Sequence, residues 1–205
     1  MRIITFKFLS KTHFFNLILV SFFCIFRSMK ISNKDIYEFY DMRTICHIQS
    51  VKYFASLLHI DVKEHDEDKM CSPLRELYAP VIYRLYHPDF HISEEHMVLF
   101  QRQKNLHHKH AKHHFQHYKN FKDITDTYLY EMVADWAAAN FEKKDILHQK
   151  NSTELTEWYK KNMSDKDWTA LQKKQIENAL NIIDTKTNNK TLGLIWQPLL
   201  EKANS

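Results

Sequence analysis

Apolar residues recur along most of the chain with the period of a helix. Tyr40, Thr44, His47, Val51, Phe54 and Leu58 follow one another at alternating steps of four and three residues, which lines them along one seam. Ser32 or Asn33 can cap that helix, Asp35 falls in its first turn where the dipole favours an acid, and the pattern carries to about residue 60. A second helical segment opens near His65 and should be bent or divided by Pro73 and Pro80. Ser93 caps a third, which starts with Glu94 and Glu95 and runs into a histidine cluster. Asp123 or Asp126 begins a fourth, "TYLYEMVADWAAANF", whose buried stripe is Leu129, Met132, Val133, Trp136 and Ala137. Asp135 stands about 60° around from Met132, at the border of that stripe, where an acid can point into a cavity. Ser152 and Ser164 read as caps of two further helices, the second supported by Asp167 as an acidic variant of the capping box. Trp168, Leu171, Ile176, Ala179, Leu180 and Ile183 give that helix its core face, and "TKTNNKT" leads to a short apolar tail around Leu192 to Leu200.

Composition agrees with this pattern. One glycine, Gly193, and four prolines leave few residues suited to left-handed turns, which favours an all-α fold, a helical bundle. A chain of 205 residues with 44% apolar composition buries one ordinary core. No repeat or linker marks a boundary after residue 30, so residues 31–205 are expected to form one domain behind a distinct segment, 1–30. The run "FFNLILVSFFCIF", Phe14 to Phe26, flanked by Lys7, Lys11, Arg27 and Lys30, has the length of a signal-peptide core rather than a full membrane span, yet no small-residue cleavage pattern follows it. Two readings remain: a short membrane anchor, or a start at Met29, where "MKISNKDIYEFY" opens like a helical domain. Three cysteines without C-x-x-C spacing indicate a reducing compartment, hence a cytoplasmic protein or one anchored through residues 14–26. A net charge of +4, evenly spread and not interleaved with aromatics, argues against nucleic acid as partner. No external stripe of tyrosines and tryptophans assigns a protein partner or an oligomeric state.

The candidate chemistry lies in two stretches. "LHHKHAKHHFQHY", residues 106–118, holds six histidines, and His65-Asp66-Glu67-Asp68-Lys69 puts His65, Asp66 and Lys69 on one face if it is helical. Alone, His47 would be a hydrogen-bonded core residue and His-Asp a solvated turn. Together with Asp135 they form a set that helices crossing in a bundle could bring around a divalent transition metal (Mn, Fe, Ni, Co or Zn). His47, His65, Asp66 and Asp135 could hold one ion, and His107 with His113 or His114 a second. On a continuous helix His107, His110, His114 and His117 would lie near one face, with His108 and His113 elsewhere, so His108, His110 and His117 are expected to be solvated or supporting. Glu131, one turn before Asp135, is a candidate to orient a ligating histidine.

The order His47, His65-Asp66, the histidines His107, His113 and His114, then Asp135 resembles the HD-domain superfamily, and Lys69 reproduces its H-D-x-x-K form. The "HHKHxxHHxxHY", "EMVADW" and "EWYKKN" stretches resemble more closely an uncharacterised family of small bacterial and viral proteins, a domain of unknown function, over about residues 40–184. The chain departs from that pattern at Ala111-Lys112, where the family has Asn-Pro, so a straight helix through the cluster and a metal facing either His113 or His114 stay open. The resemblance implies an HD-like bundle in which Asp66 bridges two ions and Asp66 and Lys69 take part in catalysis. Three functions follow: a phosphohydrolase acting on a nucleotide or other small phosphate ester, an HD-type oxygenase with two irons in the same cage, or a helical metal-binding or interaction protein without catalysis.

Overall fold

Helix α1, Asn33–Leu57, is buried on more than one side. The computed structural model describes residues 32–203; the apolar run 14–26 and the alternative start at Met29 lie outside them. In chain order the other helices are α2 (Leu74–Tyr86), α3 (Glu94–His110), α4 (Asp126–Phe141), α5 (Leu155–Asn162), α6 (Ala170–Lys186) and α7 (Asn189–Ala203). The described residues contain no strand, and the fold is an all-α bundle. None of their helices is long and apolar enough to cross a membrane.

The expected seam of α1, Tyr40 through Leu58, is buried throughout. Cys46 and Ser50 lie on a second face, against α7: the Trp196 indole donates to Ser50 Oγ at 2.9 Å and the Cys46 thiol to the Ile195 carbonyl at 3.2 Å. Each large side chain taken fully from water here, such as Val51, Phe54 or Leu129, contributes about 1.5–3 kcal/mol. Helix α4 packs on α5 and α6, and α2 on α3. The stripe of α4 is buried at Leu129, Met132, Val133 and Ala137, while Trp136 is half-buried against Trp158, Tyr159 and Trp168.

Local chemistry departs from expectation in six places. Pro80 stays inside α2, whose disturbed turn is served by His96 of α3, donating to the Leu77 carbonyl at 2.9 Å. His65 and Asp66 are not helical: Asp66 has left-handed backbone, φ 57° and ψ 15°, followed by a single 3-10 turn, Glu67–Met70. Helix α3 does not run through the histidine cluster; it ends at His110, and Ala111 is extended. Ser164 does not open α6. Its hydroxyl turns back to the Lys160 carbonyl, and Thr169 caps α6 in a reciprocal box with Gln172, leaving Trp168 ahead of the helix. Ser152 likewise closes a turn onto the Gln149 carbonyl, and α5 starts behind Glu154. Helix α7 begins inside the polar "TKTNNKT" stretch because the Asn188 side chain accepts from the N–H groups of Lys190 and Thr191.

Candidate metal centre

Five segments deliver the cluster. His47 comes from the middle of α1, His107 from the last turn of α3 and Asp135 from the third turn of α4. His65 and Asp66 come from the turn before α2, where left-handed backbone costs about 1–3 kcal/mol for a residue with a Cβ, the least for Asp and Asn. His113 and His114 sit on the loop between α3 and the 3-10 turn Phe115–His117. That loop is pinned from the far side: Phe121 packs on Trp168 with ring centroids 4.6 Å apart, Phe115 packs on Phe121 at 5.8 Å, and Gln172 donates to the Phe121 carbonyl at 2.7 Å. The C-terminal half of the bundle thus holds two histidines in place without contributing one.

Asp66 is the hinge of the arrangement. Its Oδ2 faces His65 Nε2 at 3.5 Å and His47 Nε2 at 3.7 Å, and Asp135 Oδ1 stands 3.1 Å from His47 Nε2 and 3.5 Å from His65 Nε2. Its Oδ1 faces the other way, to His107 Nε2 at 3.2 Å and His113 Nε2 at 3.3 Å. Ligand atoms of Asp66, His107, His113 and His114 all lie within 4.8 Å of one another, and so do those of His47, His65 and Asp135; a third such group, His65, His113 and Glu131, spans the two. The structure brings together all seven residues expected to bind metal, and where the sequence left a choice between His113 and His114 it gathers both. His108 is half-buried, its ring 4.2 Å from that of His114; His110 is exposed, and His117 is half-buried, donating from Nδ1 to the Lys109 carbonyl at 3.0 Å.

A layer of carboxylates orients the rings. Glu131 accepts from His65 Nδ1 at 3.0 Å, and Asp68 accepts from His107 Nδ1 at 2.8 Å. A carboxylate only accepts, so each Nδ1 carries the proton and each Nε2 is turned inward. Asp68 is the partner that reading the sequence passed over, although it lies in the same acidic run as Asp66. Lys69 reaches back to Asp66 Oδ2 at 2.5 Å, and Tyr40 fixes its turn by donating to the Lys69 carbonyl at 3.0 Å.

Charge is concentrated here. Burial alone would push the Asp66 carboxyl up, yet Lys69, His65, His107 and His113 hold it well below the usual range. Asp135 is likewise low despite burial, through His47 and His65. Burial opposes a charge on His65, but Asp66, Asp135 and Glu131 outweigh it and raise the imidazole to about 10. The carboxylates converging on His65 draw in positive charge, and a divalent ion answers that demand more fully than a proton. His114 is the reverse case: burial, with His113, His108 and Lys69 nearby, pushes it down to about 2 and keeps it neutral.

Five buried atoms in this cluster find no hydrogen-bond partner: Asp66 Oδ1 and the Nε2 atoms of His65, His107, His113 and His114. Buried polar atoms are almost always paired, so five together, all nitrogen and oxygen atoms of ligating type, fit a metal ion. The buried imidazoles and carboxylates could therefore hold one. A cleft of about 740 Å³ reaches Asp66, His113 and Glu131 from solvent.

Residues 36–188 match a family described as one of unknown function, DUF5662. The chain belongs to this family. Comparisons with curated proteins and with solved structures find no match. The match agrees with the likeness to a family of unknown function drawn from the motifs. In this member of DUF5662 the matched span takes in every ligand candidate from His47 to Asp135 and stops ahead of α7.

Proposed function

We propose that the protein is a metal-dependent phosphohydrolase of HD type, acting on a nucleotide or another small phosphate ester. The observation that carries this reading is the division of one carboxylate, Asp66, between two sets of ligands, with the Lys69 ammonium against the same carboxylate. Two divalent ions about 3.5–4 Å apart would acidify water and neutralise phosphate oxygens. Asp66 would hold both, His47, His65 and Asp135 one, and His107, His113 and His114 the other.

Around them the chain supplies orientation and charge. Glu131 and Asp68 fix the rings of His65 and His107, so little rearrangement accompanies reaction. In hydrolysis a P–O bond forms to water, the ester P–O bond breaks, and the leaving oxygen takes a proton. Lys69 offers a compact ammonium to neutralise phosphate oxygens or to assist the leaving group. Lys104 adds to this flank: half-buried on α3 one turn before His108, it pairs with no carboxylate among the described residues, and burial with the like charges of Lys143 and Lys69 lowers its pKa. A half-buried cation without a counter-ion suits an anionic substrate. Neither lysine lines the cleft, whose rim carries Asp61, Glu64 and Glu67 beside Lys63 and Lys112.

The purified protein should release phosphate from nucleotides or simple phosphate esters with Mn²⁺, Ni²⁺ or Co²⁺, and Asp66→Ala should abolish release. Equal turnover by Asp66→Ala sinks the proposal. A second reading has its own observation: His47, His65 and Asp135 make two imidazoles and one carboxylate around one point, a set that also suits iron oxygenases. Protein that is active when strictly iron-free excludes that reading; a mixed-valent iron pair seen by Mössbauer spectroscopy favours it.

A further inference from the structure

The two ligand sets that share Asp66 are not alike. One consists of His47 and His65 with the carboxylates of Asp135 and Asp66. The other consists of His107, His113 and His114 with Asp66 alone. His114 makes the difference: its ring lies 4.3 Å from that of His113 and 5.1 Å from that of His107, and its Nε2 is buried without a hydrogen-bond partner. The end of α3 at His110 permits this. On a continuous helix neighbouring residues diverge by about 100°, whereas on the loop His113 and His114 both turn toward Asp66.

We propose that the centre is built for two different ions: the set of three imidazoles and one carboxylate takes a zinc-like ion (Zn²⁺, Co²⁺ or Ni²⁺), and the set of two imidazoles and two carboxylates takes a harder one (Mn²⁺ or Fe²⁺). The warrant is ligand chemistry. Imidazole suits Zn²⁺ and Ni²⁺, carboxylate suits Mn²⁺, and two imidazoles with a carboxylate form the set that holds Fe²⁺ in oxygenases, so each carboxylate exchanged for an imidazole shifts preference away from Mn²⁺. Carboxylate support also differs. Glu131 backs His65 at hydrogen-bond distance but stands 3.6 Å from His113 Nδ1, while Asp68 backs His107 alone. The two sites therefore differ in ligand type and in how firmly their rings are held. This inference rests on the metal-binding part of the proposed function and not on its substrate.

Metal-free protein is loaded with one equivalent of Zn²⁺ and excess Mn²⁺, desalted and assayed by elemental analysis, with Mn²⁺ followed by EPR. The expected result is one zinc and one manganese per chain. In His114→Ala, calorimetric affinity for the first Zn²⁺ should fall at least tenfold with Mn²⁺ binding retained; Asp135→Asn should weaken Mn²⁺ and spare Zn²⁺. His114→Gln, which keeps the bulk, checks that the loss is one of ligation, since it should weaken Zn²⁺ as the alanine variant does. Uptake of two identical ions with equal affinity, or unchanged Zn²⁺ affinity in both His114 variants, overturns the inference. Mixed loading without phosphate release supports it while removing the phosphohydrolase reading; phosphate release with two equivalent ions does the opposite.

Discussion

Helix α1 carries two buried ionic clusters one turn apart, and they are built on different terms. At Arg43 the guanidinium meets both oxygens of Glu142, with Nε to Oε1 at 2.8 Å, and the Tyr86 hydroxyl donates to the same carboxylate at 2.7 Å. None of these groups has an unpaired buried side-chain atom. At His47 the neighbouring cluster leaves Asp66 Oδ1 and the Nε2 atoms of His65, His107, His113 and His114 without partners. Helix and depth are shared, so burial does not separate them; completeness does. A finished network stabilises or specifies a fold, whereas an unfinished one made only of metal-ligating atoms asks for something from outside.

The largest effect should come from supplying it. A divalent ion at about 100 times its dissociation constant stabilises by about 2.7 kcal/mol per site, roughly 5 kcal/mol for two. For a chain of this size that raises the melting temperature by roughly 10–20 °C, measured by scanning calorimetry with and without Mn²⁺ or Zn²⁺. His65→Ala and Asp135→Ala should remove most of the gain. A melting temperature indifferent to every divalent ion would erase the distinction between the clusters.

Next comes the finished cluster. Arg43→Ala strands a buried carboxylate and should cost about 3–5 kcal/mol in denaturant unfolding, while metal stoichiometry stays as in the wild type. Replacing both partners, Arg43→Met with Glu142→Leu, should recover much of that loss. Metal stoichiometry that collapses in Arg43→Ala although the protein is folded would mean that the two clusters are one network.

Part of this was legible in the order of residues. The seam of α1 and the Ser93 cap follow from helical period and hydroxyl position, and Asp135 at a stripe border points inward as its angle requires. The Asp66–Lys69 pair also forms, but on a 3-10 turn rather than an α-helix, because a spacing of three brings side chains together in both. The break after His110 carries no local signal: Ala111 is the best helix former, and the aromatic anchor of Phe115 and Phe121 on Trp168 overrides it. Without that break the meeting of His113 and His114 at one point has no cause. Arg43 and Glu142 are 99 residues apart, and a single ion pair across that distance leaves no periodic trace.

A smaller change touches the rings without removing a ligand. Glu131→Gln keeps the shape but weakens the acceptor at His65 Nδ1, and loss of such support costs 10–100-fold in metal affinity. Calorimetry should place that loss at the site of His47, His65 and Asp135, and the loss in Asp68→Asn at the site of His107. Equal losses at both sites from either variant would show that the two orienting carboxylates do not act separately.

The smallest effect separates the clusters by the sign of a pH dependence. Burial pushes Glu142 up, but the Arg43 charge and its hydrogen bonds, with Tyr86 adding another, bring its folded pKa below the ordinary 4.5. A depressed folded pKa means that the unfolded chain binds the proton first, so this stabilisation is complete above about 4.5 and is lost as pH falls through the folded value. Arg43→Ala removes the largest influences that oppose burial, leaving only His47 and the Tyr86 hydrogen bond against it, so the folded pKa rises toward or above the unfolded one and the slope flattens or reverses. Asp66 and Asp135 titrate in both proteins and cancel in the difference. The stability gap between wild type and Arg43→Ala should therefore narrow as pH is lowered from 6 toward 4, read from urea melts of metal-free protein. A gap that stays constant over that range would mean that Glu142 does not depend on Arg43, and the finished cluster would lose its claim to be finished.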